Sequence, residues 1–564
     1  ALGEVLAQIL RLQAEPPTSA ELERTLRVIQ AEALHTLETM EGQAALLGHY
    51  ALLGDYRLAG SALERMARVD ATQALEAARR YLNLEQATVL LHAPRGSRPE
   101  PPVASELYER LRASLVPEPL PLARPAAAAP AAIRLPETQS EGRGEVESLT
   151  LDCGARVLLQ RDGRLPMTAL TLYFPVGSGN ERDGEAGLTR LTQLCMIKGA
   201  GGRTAAEIAE RLEGLGARLR PLVSRDLCGF SLSAVSPDFP AAMDLLETVL
   251  SRPDFPEEAV ARERKKTLAE IAALRDDTIQ FTLAEFTRRV YGGHAYGRMV
   301  AGTEDSVARI DAAALRAWHG RVYDPARPVV GVVGDIDRAV LLRRLERMFS
   351  GLPKMGAFPP PPAPIPRLSA GDRAVLEKDV AQAVVVLGYP GPALDAPERY
   401  ALDVWIEILS GNGNRLFTRL REERHLCYFT GAFAAAQRGG GSVAAYVGTG
   451  PDQVEEATEA LLAEVELTSR EAPGEEELRR ARNTLAGAHL IDMQSRMAWA
   501  SSYAHDEALG LGYEESARYP DAIRAVSAED VLQAAARVVD RGRLVHVTLR
   551  PEPEGPRTAP GDRG

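Results

Sequence analysis

Arg421 and Tyr428 carry side chains of types that could take part in catalysis. Both side chains are hydrogen-bond donors, and donors aimed at a developing negative charge stabilise the transition state of acyl transfer. Taken alone, Arg421 fits more simply a solvated charge on a helix with Glu422 and Glu423. Tyr428 fits a half-buried aromatic residue at the start of a strand over residues 429–435. The pair by itself leaves both interpretations open.

Several common catalytic and ligand-binding motifs do not occur in this sequence. It contains no Gly-x-Ser-x-Gly elbow, and its nine histidines form no close pair at metal-ligand spacing. The glycine run 439–441 is not followed by Gly-Lys-Ser/Thr, so we expect a turn there. The four cysteines include no Cys-x-x-Cys pair, so we expect small core residues at Cys153, Cys195, Cys228 and Cys427.

Two predicted helices position a second set of candidates. Residues 184–188 lead into one helix, and residues 256–277 show the pattern of a long helix, with Asp276 and Asp277 ending or capping it. In the first helix, residues 187–189 and 196–199 flank Arg190-Leu191-Thr192-Gln193-Leu194. These flanking residues resemble the surroundings of the His-x-x-Glu-His zinc motif in the pitrilysin/insulinase family of metallopeptidases, the inverzincins.

The resemblance implies where a zinc site would lie. In that family two His and one Glu on one helix bind zinc and activate water, and a Glu from a later helix completes the site. The spacing puts Arg190, Gln193 and Leu194 at the first three positions and Glu270 at the fourth. Arginine has no lone pair to offer and leucine has no polar atom, so we expect these residues to bind no zinc. Glu270 is then expected to be a surface carboxylate beside Lys265 and Lys266.

The resemblance also implies a role for Arg421 and Tyr428. The segments 410–417 and 420–428 are similar to the part of the family that supplies an Arg and a Tyr, seven residues apart, to the active site opposite. There the Tyr donates to the scissile carbonyl or its oxyanion, and the Arg holds the substrate. His425 stands where the family usually has Gly, which puts the geometry of the turn in question.

An internal repeat indicates the architecture. Three segments each predict a capped helix that leads into a β-branched strand, with anchors at Val69, Ile310 and Val526 and strands near residues 87–91, 328–333 and 544–548. The two later copies begin with strand pairs, predicted over 151–159 with 167–174, and over 372–376 with 383–387. The resemblance predicts an α+β fold: repeated α/β sandwich units of the pitrilysin/mitochondrial processing peptidase type, each an antiparallel-rich sheet packed with helices.

The copy around Val69 lacks the part that precedes the anchor in the other two. We therefore expect its apolar helix face and sheet edge to be exposed unless another chain covers them. The predicted organisation is an incomplete unit (1–98), a Pro/Ala-rich linker (99–145), a unit with the degenerate zinc motif (146–350), a Pro-rich linker (351–370), a unit with the Arg/Tyr pair (371–552) and a disordered tail (553–564).

Composition narrows the classes of partner. The formal net charge of −12 argues against nucleic acid as the main ligand, and no apolar run is long enough for a membrane span. No basic n-region followed by an apolar run is visible in the first residues of the given sequence. By analogy with secreted bacterial members of the family, the periplasm or the exterior is the expected compartment.

Two functions fit these observations. In the first, the chain is the non-metal-binding half of a two-half zinc metalloendopeptidase that acts on peptides or unfolded proteins in an enclosed chamber. Its zinc would come from the missing N-terminal half of the same protein or from a partner subunit, so the chain alone is expected to be inactive. In the second, it is a catalytically inactive pitrilysin-like structural or assembly subunit. A companion polypeptide with a His-x-x-Glu-His motif would favour the first.

Overall fold

The computed structural model describes residues 2–82, 87, 88, 90, 143–323, 328–352, 362, 364–366, 368, 370–411 and 413–552. The chain divides into two compact units. One comprises Ala1–Gln139 with Ala209–Ala217, and the other comprises Ser140–Ile208 with Arg218–Gly564. Most of the predicted linkers 99–145 and 351–370, and the predicted tail 553–564, lie outside the described residues.

The N-terminal unit is helical in its described residues up to Leu82. Its helices are α1 (Leu2–Ala14), α2 (Ser19–Leu37), α3 (Met40–Leu52), α4 (Leu58–Met66) and α5 (Ala71–Tyr81). Thr18 and Asp70 begin α2 and α5 with reciprocal capping boxes. Residues 87, 88 and 90 are in no strand, and the rest of the strand predicted over 87–91 lies outside the described residues.

Residues 146–350 supply the strands and helices around a six-stranded sheet, and they belong to the second unit except for Ala209–Ala217. In chain order these elements are β1 (Val146–Thr150), β2 (Arg156–Arg161), β3 (Met167–Phe174), α6 (Leu188–Met196), β4 (Gly199–Ala200), β5 (Arg203–Thr204), α7 (Ala205–Gly214), β6 (Arg218–Val223), β7 (Cys228–Val235), α8 (Phe239–Ser251), α9 (Glu257–Asp276), α10 (Thr278–Val290), α11 (Glu304–Arg309), α12 (Ala312–Val322), β8 (Val329–Gly334) and α13 (Arg338–Ser350). The strand order of this first sheet is β1-β2-β8-β3-β7-β6, antiparallel except for the pair β2 and β8.

The later residues of this unit build a five-stranded second sheet. Its elements are β9 (Asp372–Lys378), β10 (Ala383–Gly391), α14 (Arg399–Leu409), a π-helix (Phe417–Glu423), β11 (Phe429–Gln437), β12 (Gly440–Thr449), α15 (Val454–Thr468), α16 (Glu475–Asp492), α17 (Arg496–Leu509), α18 (Glu515–Ala525), α19 (Ala528–Val538) and β13 (Val545–Pro551). The order is β11-β12-β10-β13-β9, with β13 and β9 parallel. The predicted α+β class is confirmed.

The predicted repeat helices are present in all three copies. They are α5, α12 and α19, each of eleven residues, and Asp70, Asp311 and Ser527 cap them. Asp276 ends α9 and Asp277 caps α10, as predicted. The strand predicted over 151–159 begins too early, because a turn at Leu151–Gly154 separates β1 from β2.

Each sheet is covered by a helix that comes from the other half of the second unit. Phe286 and Val290 on α10 pack with apolar side chains of the second sheet, among them Val384, Val386 and Val547. The alternate residues of β10, such as Val385 and Leu387, join a separate cluster with α14, α15 and α19. The sheet therefore lies between its own helices and a helix supplied by residues 278–290.

The first sheet is covered in the same way by a helix from the later half of the second unit. Ala500 and Tyr503 on α17 pack with Leu158, Ala169 and Val333 of the first sheet. The approach is close, because a Cβ added to Gly331 on β8 would lie 2.1 Å from the carbonyl oxygen of Ala500. Thr171 and Ser501 are hydrogen-bonded across the same contact at 2.9 Å. The two sheets are thus bound to each other by exchanged helices.

A buried ion cluster fixes the start of α17 to the end of β2. The Asp162 side chain is fully buried and lies 2.6 Å from an Arg164 nitrogen, 3.0 Å from an Arg496 nitrogen and 3.6 Å from Arg143. Burial alone would raise the pKa of Asp162, but hydrogen bonds from Arg164 and the charge of Arg496 hold that pKa below its ordinary value. Arg143 also lies over the Trp499 ring at 4.7 Å.

No helix in the described part of the chain is both long and apolar enough to span a bilayer.

We predict that Asp162→Asn lowers the free energy of unfolding by about 3–5 kcal/mol, because it removes the buried carboxylate that pairs with the buried Arg496 charge. Urea unfolding followed by tryptophan fluorescence measures this loss. The matched control is Glu147→Gln, which removes an exposed partner of Arg338 and should cost no more than about 1 kcal/mol. The difference from wild type should shrink as pH falls below the ordinary pKa of Asp162. Equal losses for the two variants would contradict this assignment.

Candidate functional site

An ion pair lies at the position of the degenerate zinc motif. Arg190 on α6 and Glu270 on α9 face each other, with 2.7 Å between a guanidinium nitrogen and a carboxylate oxygen. A second guanidinium nitrogen of Arg190 lies 3.4 Å from the Thr267 hydroxyl. The Arg190 side chain is 25% exposed and that of Glu270 is 54% exposed, so this is a surface pair. The two paired side chains stand at the first and the fourth of the metal-ligand positions.

The other two motif residues have different surroundings. Gln193 is buried, and its amide nitrogen donates to the Tyr323 hydroxyl at 2.5 Å. Tyr323 stacks on His319 with 4.6 Å between ring centroids. Leu194 is half-buried and lies one helical turn after Arg190 on the same face of α6. Gln193 thus takes part in packing the core and Leu194 adds an apolar surface.

These residues do not fit a zinc ion. A catalytic zinc needs three protein donors with lone pairs, and of the four positions only Glu270 supplies a carboxylate. In the described residues no group of three or more His, Cys, Asp or Glu side chains is arranged to hold a metal. The positive charge that zinc would bring next to Glu270 comes here from the Arg190 guanidinium.

Glu181 is a buried carboxylate at the beginning of α6. One of its oxygens accepts the Thr189 backbone N–H at 2.7 Å and the other accepts that of Gly187 at 3.0 Å. Both donors are free helix-terminal groups, so Glu181 serves as a side-chain cap for α6. Burial raises the pKa of Glu181 to about 7, against the opposing effect of these hydrogen bonds and of Arg298.

Arg421 projects from a π-helix with a well-buried inner face. Leu416 and Leu420 are buried, while Arg421 is exposed and its guanidinium lies over the Phe417 ring at 5.0 Å. Burial raises the pKa of the neighbouring Cys427 thiol, and the charge of Arg421 acts in the opposite direction. A π-helix widens the turn, and such turns frequently occur at functional sites.

Tyr428 is exposed on an anchored backbone. Its side chain is 55% exposed, although Leu426 and Cys427 immediately before it are buried. Its backbone N–H donates to the Gly448 carbonyl at 2.8 Å, and the Thr449 hydroxyl donates to the Leu426 carbonyl at 2.6 Å. The main chain is therefore fixed at this point, and the phenol ring reaches the surface.

His425 occupies the turn between Arg421 and Tyr428 with a φ of 53°. This left-handed conformation favours glycine, which explains why a Gly is expected at this point and why a His there is strained. The π-helix before His425 and the strand β11 after it are nevertheless both formed. His425 thus adopts the backbone conformation that a glycine would readily take at this point.

The structure places the candidate residues in two groups. Arg190, Gln193, Leu194 and Glu270 lie among the elements of residues 146–350, and Arg421 and Tyr428 lie among those of residues 371–552. Among the described residues no hydrogen bond or ion pair joins the two groups.

Two features around the degenerate zinc motif were not predicted from the sequence. Glu270 was expected to lie beside Lys265 and Lys266, but it pairs with Arg190, and Lys266 lies 3.0 Å from Glu263. The sequence did contain a signal for this ion pair, because an Arg and a Glu stand at two ligand positions on helices that are expected to face each other. Glu181 carried no comparable signal, since its burial follows from the tertiary fold.

We predict that Arg190→His together with Leu194→His creates a zinc site with Glu270, because the two new imidazoles would lie one turn apart on the face that meets this carboxylate. Elemental analysis after desalting should give about one zinc per double-variant chain and none per wild-type chain. Adding Glu270→Gln is the control and should reduce the retained zinc. Stoichiometric zinc on the wild-type chain would contradict the assignment.

We predict that Glu181 makes the protein less stable as pH rises. The folded pKa of about 7 exceeds the ordinary value of 4.5, so the contribution is complete below pH 4.5 and is lost as pH rises towards 7. The unfolding free energy of wild type relative to Glu181→Gln, measured by urea titration, should fall by a few kcal/mol between pH 4.5 and pH 8. Glu185→Gln, at a less buried neighbour, is the control. Parallel pH profiles for wild type and Glu181→Gln would refute this account.

Two family models match most of the second unit. The insulinase (peptidase family M16) model matches residues 156–304, and the peptidase M16 inactive domain model matches residues 309–485. An uncharacterised zinc protease of Streptomyces coelicolor is 27% identical over 411 residues, which cover 69% of this chain and 88% of the relative. An uncharacterised zinc protease of Bacillus subtilis is 22% identical over 365 residues, with 64% and 88% covered.

Solved structures show the same fold. A peptidase M16 inactive domain from Pseudomonas fluorescens superposes with a TM-score of 0.68 at 24% identity, covering 73% of this chain and 99% of that one. A protease from Helicobacter pylori gives 0.68 at 20% identity, covering 72% and 100%. Together with the family models these likenesses confirm the resemblance found in the sequence. The chain belongs to the pitrilysin/insulinase family of peptidases, family M16.

Proposed function

We propose that this chain is the non-metal-binding half of a two-half zinc metalloendopeptidase. It would close with a zinc-bearing half around a chamber and act there on peptides or unfolded segments. The zinc and the general-base Glu belong to that other half in this proposal. Residues 146–350 and 371–552 serve as two complete units, and residues 1–98 serve as part of a third.

One observation carries the proposal. The chain has replaced the metal-ligand positions with the Arg190–Glu270 ion pair, yet it keeps two exposed hydrogen-bond donors, Arg421 and Tyr428, on a buried support. The main chain next to Tyr428 is fixed by the buried Leu426 and Cys427, so the hydroxyl is held at a defined place on the surface. This pattern supports a function in which the other half binds the zinc and this half supplies hydrogen-bond donors.

The chemistry of the two side chains suits the step of peptide hydrolysis in which water attacks the carbonyl. When water attacks a peptide carbonyl, its oxygen gains negative charge, and the Tyr428 hydroxyl can donate a hydrogen bond to it. The Arg421 guanidinium can hold a substrate carbonyl or carboxylate through two parallel N–H donors. Its stacking on Phe417 limits the side-chain freedom that binding would otherwise remove. Tyr428 is therefore proposed as a catalytic residue, and Arg421 as a substrate-binding one.

A structural or assembly role is the competing function. It requires neither exposed donor, because both side chains lie outside the apolar clusters that hold the second sheet. The two functions therefore differ in what they predict for Arg421 and Tyr428 variants in the assembled protein.

We predict that Tyr428→Phe, in the complete assembly with the zinc-bearing half, lowers kcat by about 100-fold and changes KM much less, as for loss of one oxyanion donor. Arg421→Lys should mainly raise KM, because lysine cannot form the paired hydrogen bonds. Initial rates on an unfolded protein or peptide library measure both effects.

Tyr56→Phe is the matched control for the hydroxyl, since Tyr56 is also 55% exposed. Arg424→Lys is the control for the arginine, because Arg424 lies on the same surface and pairs with Glu456 at 3.0 Å. An active assembly in which Tyr428→Phe and Tyr56→Phe have the same kcat would support the structural role, as would an assembly with no peptidase activity.

A further inference from the structure

The five helices of the N-terminal unit have counterparts in both halves of the second unit. Helices α1 to α5 correspond in order to α8 to α12 and to α15 to α19. The second helix of each set begins 21 residues before the third, at Ser19 and Met40, at Glu257 and Thr278, and at Glu475 and Arg496. Side chains of Thr39, Asp277 and Ser495 cap the three third helices. This common register aligns α3 with α10 and α17, residue by residue.

The two sister helices of α3 are the exchanged helices. Counting from the shared start, the fifth and ninth residues are Thr282 and Phe286 on α10, and Ala500 and Ala504 on α17. All four are completely buried. A Cβ on Gly388 of β10 would lie 2.5 Å from Phe286, and one on Gly331 of β8 would lie 2.1 Å from Ala500. These two positions are therefore where the third helix meets a sheet that is not its own.

The same two positions of α3 are exposed. They are Ala44 and Gly48, and a Cβ added to Gly48 would meet no atom within 4 Å. None of the residues of α3 is buried, and Met40, Leu47 and Leu52 are 74%, 48% and 90% exposed. Twelve of the sixteen exposed large apolar side chains in the described residues lie between Val5 and Leu90. Exposed apolar side chains are thus concentrated in the N-terminal unit, as expected of a surface that a partner covers.

In the described residues, a second copy of this chain offers α3 no vacant position for an exchanged helix. The first sheet already carries α17 and the second sheet already carries α10. Because both described sheets are occupied in this way, we look for the sheet that receives α3 on another polypeptide.

We infer that α3 is a third exchanged helix, which docks through Ala44 and Gly48 on the open sheet face of a separate pitrilysin-type unit, the zinc-bearing one. The small side chains at both positions allow the close helix-to-sheet approach that Ala500 makes on Gly331. The inference that α3 docks on a sheet rests only on the alignment of α3 with α10 and α17. Only the assignment of zinc to the partner rests on the proposed function.

A photo-crosslinking amino acid at position 48 tests the contact directly. It is placed in the full chain, and the chain is irradiated in its native assembly. The expected adduct joins position 48 to a peptide from a β-strand of a polypeptide that also carries His-x-x-Glu-His, identified by mass spectrometry. The same amino acid at position 60, on α4, is the control, because Gly60 is likewise helical, exposed and without atoms within 4 Å of an added Cβ.

An adduct with a second copy of this chain, with a helix, or with an unrelated protein would overturn the inference, as would a yield at position 48 no higher than at position 60. The crosslink reports contact and not turnover, so it is independent of the kinetics of Tyr428→Phe. An adduct with a β-strand of a polypeptide that lacks the zinc motif would support the docking of α3 on a sheet. It would refute only the identification of the partner as the zinc-bearing unit.

Substitution of the same glycines supplies a second measurement. Gly48→Glu should weaken the association at least about tenfold in Kd, because it would bury an unpaired charge against the sheet. Gly60→Glu should leave the Kd unchanged, and both variants should keep the helical circular dichroism of the wild type because each replaces a helical glycine in open space. Equal Kd values for the two variants would contradict the docking of α3.

Discussion

The exchange of α10 and α17 between the two sheets is the contact on which the second unit depends. A twisted sheet with apolar residues on both faces must cover both, and each sheet here obtains one cover from its own helices and the other from its neighbour. Glycines at Gly331 and Gly388 let the exchanged helices come close to the strands. The buried Asp162 cluster then fixes the first turn of α17. Neither half can lose its exchanged helix without opening the core of the other.

This arrangement separates the parts of the chain that hold the fold from the parts that are free to change. The motif helix α6 keeps its packing through Gln193 and its capping through Glu181, so the fold does not need a metal at Arg190 and Leu194. In place of metal coordination, Arg190 and Glu270 neutralise each other on the surface. Around residue 428, in contrast, the main chain is fixed while the side chain is exposed, which is the arrangement of a binding surface more than of a core.

The sequence predicted the positions of helices and strands better than the contacts that their side chains make. Periodicity and caps located β3, β9, α9 and the three repeat helices, because these depend on neighbouring residues. The turn at Leu151–Gly154 was missed because alternation continues across it. The Arg190–Glu270 pair, the burial of Glu181 and the exchange of helices depend on residues distant in sequence, which a local pattern does not contain. The exposed conformations of Arg421 and Tyr428 agree with a functional interpretation, and their role stays a prediction.

In the function that we propose, the zinc chemistry resides outside this chain and the chain completes the enzyme. Native mass spectrometry of the intact species, combined with its metal content, distinguishes this arrangement from a chain that works alone. We expect a complex heavier than the 60.9 kDa of this chain, with one zinc that remains on the partner after the two are separated. A native species of this chain alone, or zinc that stays with this chain after separation, would contradict it.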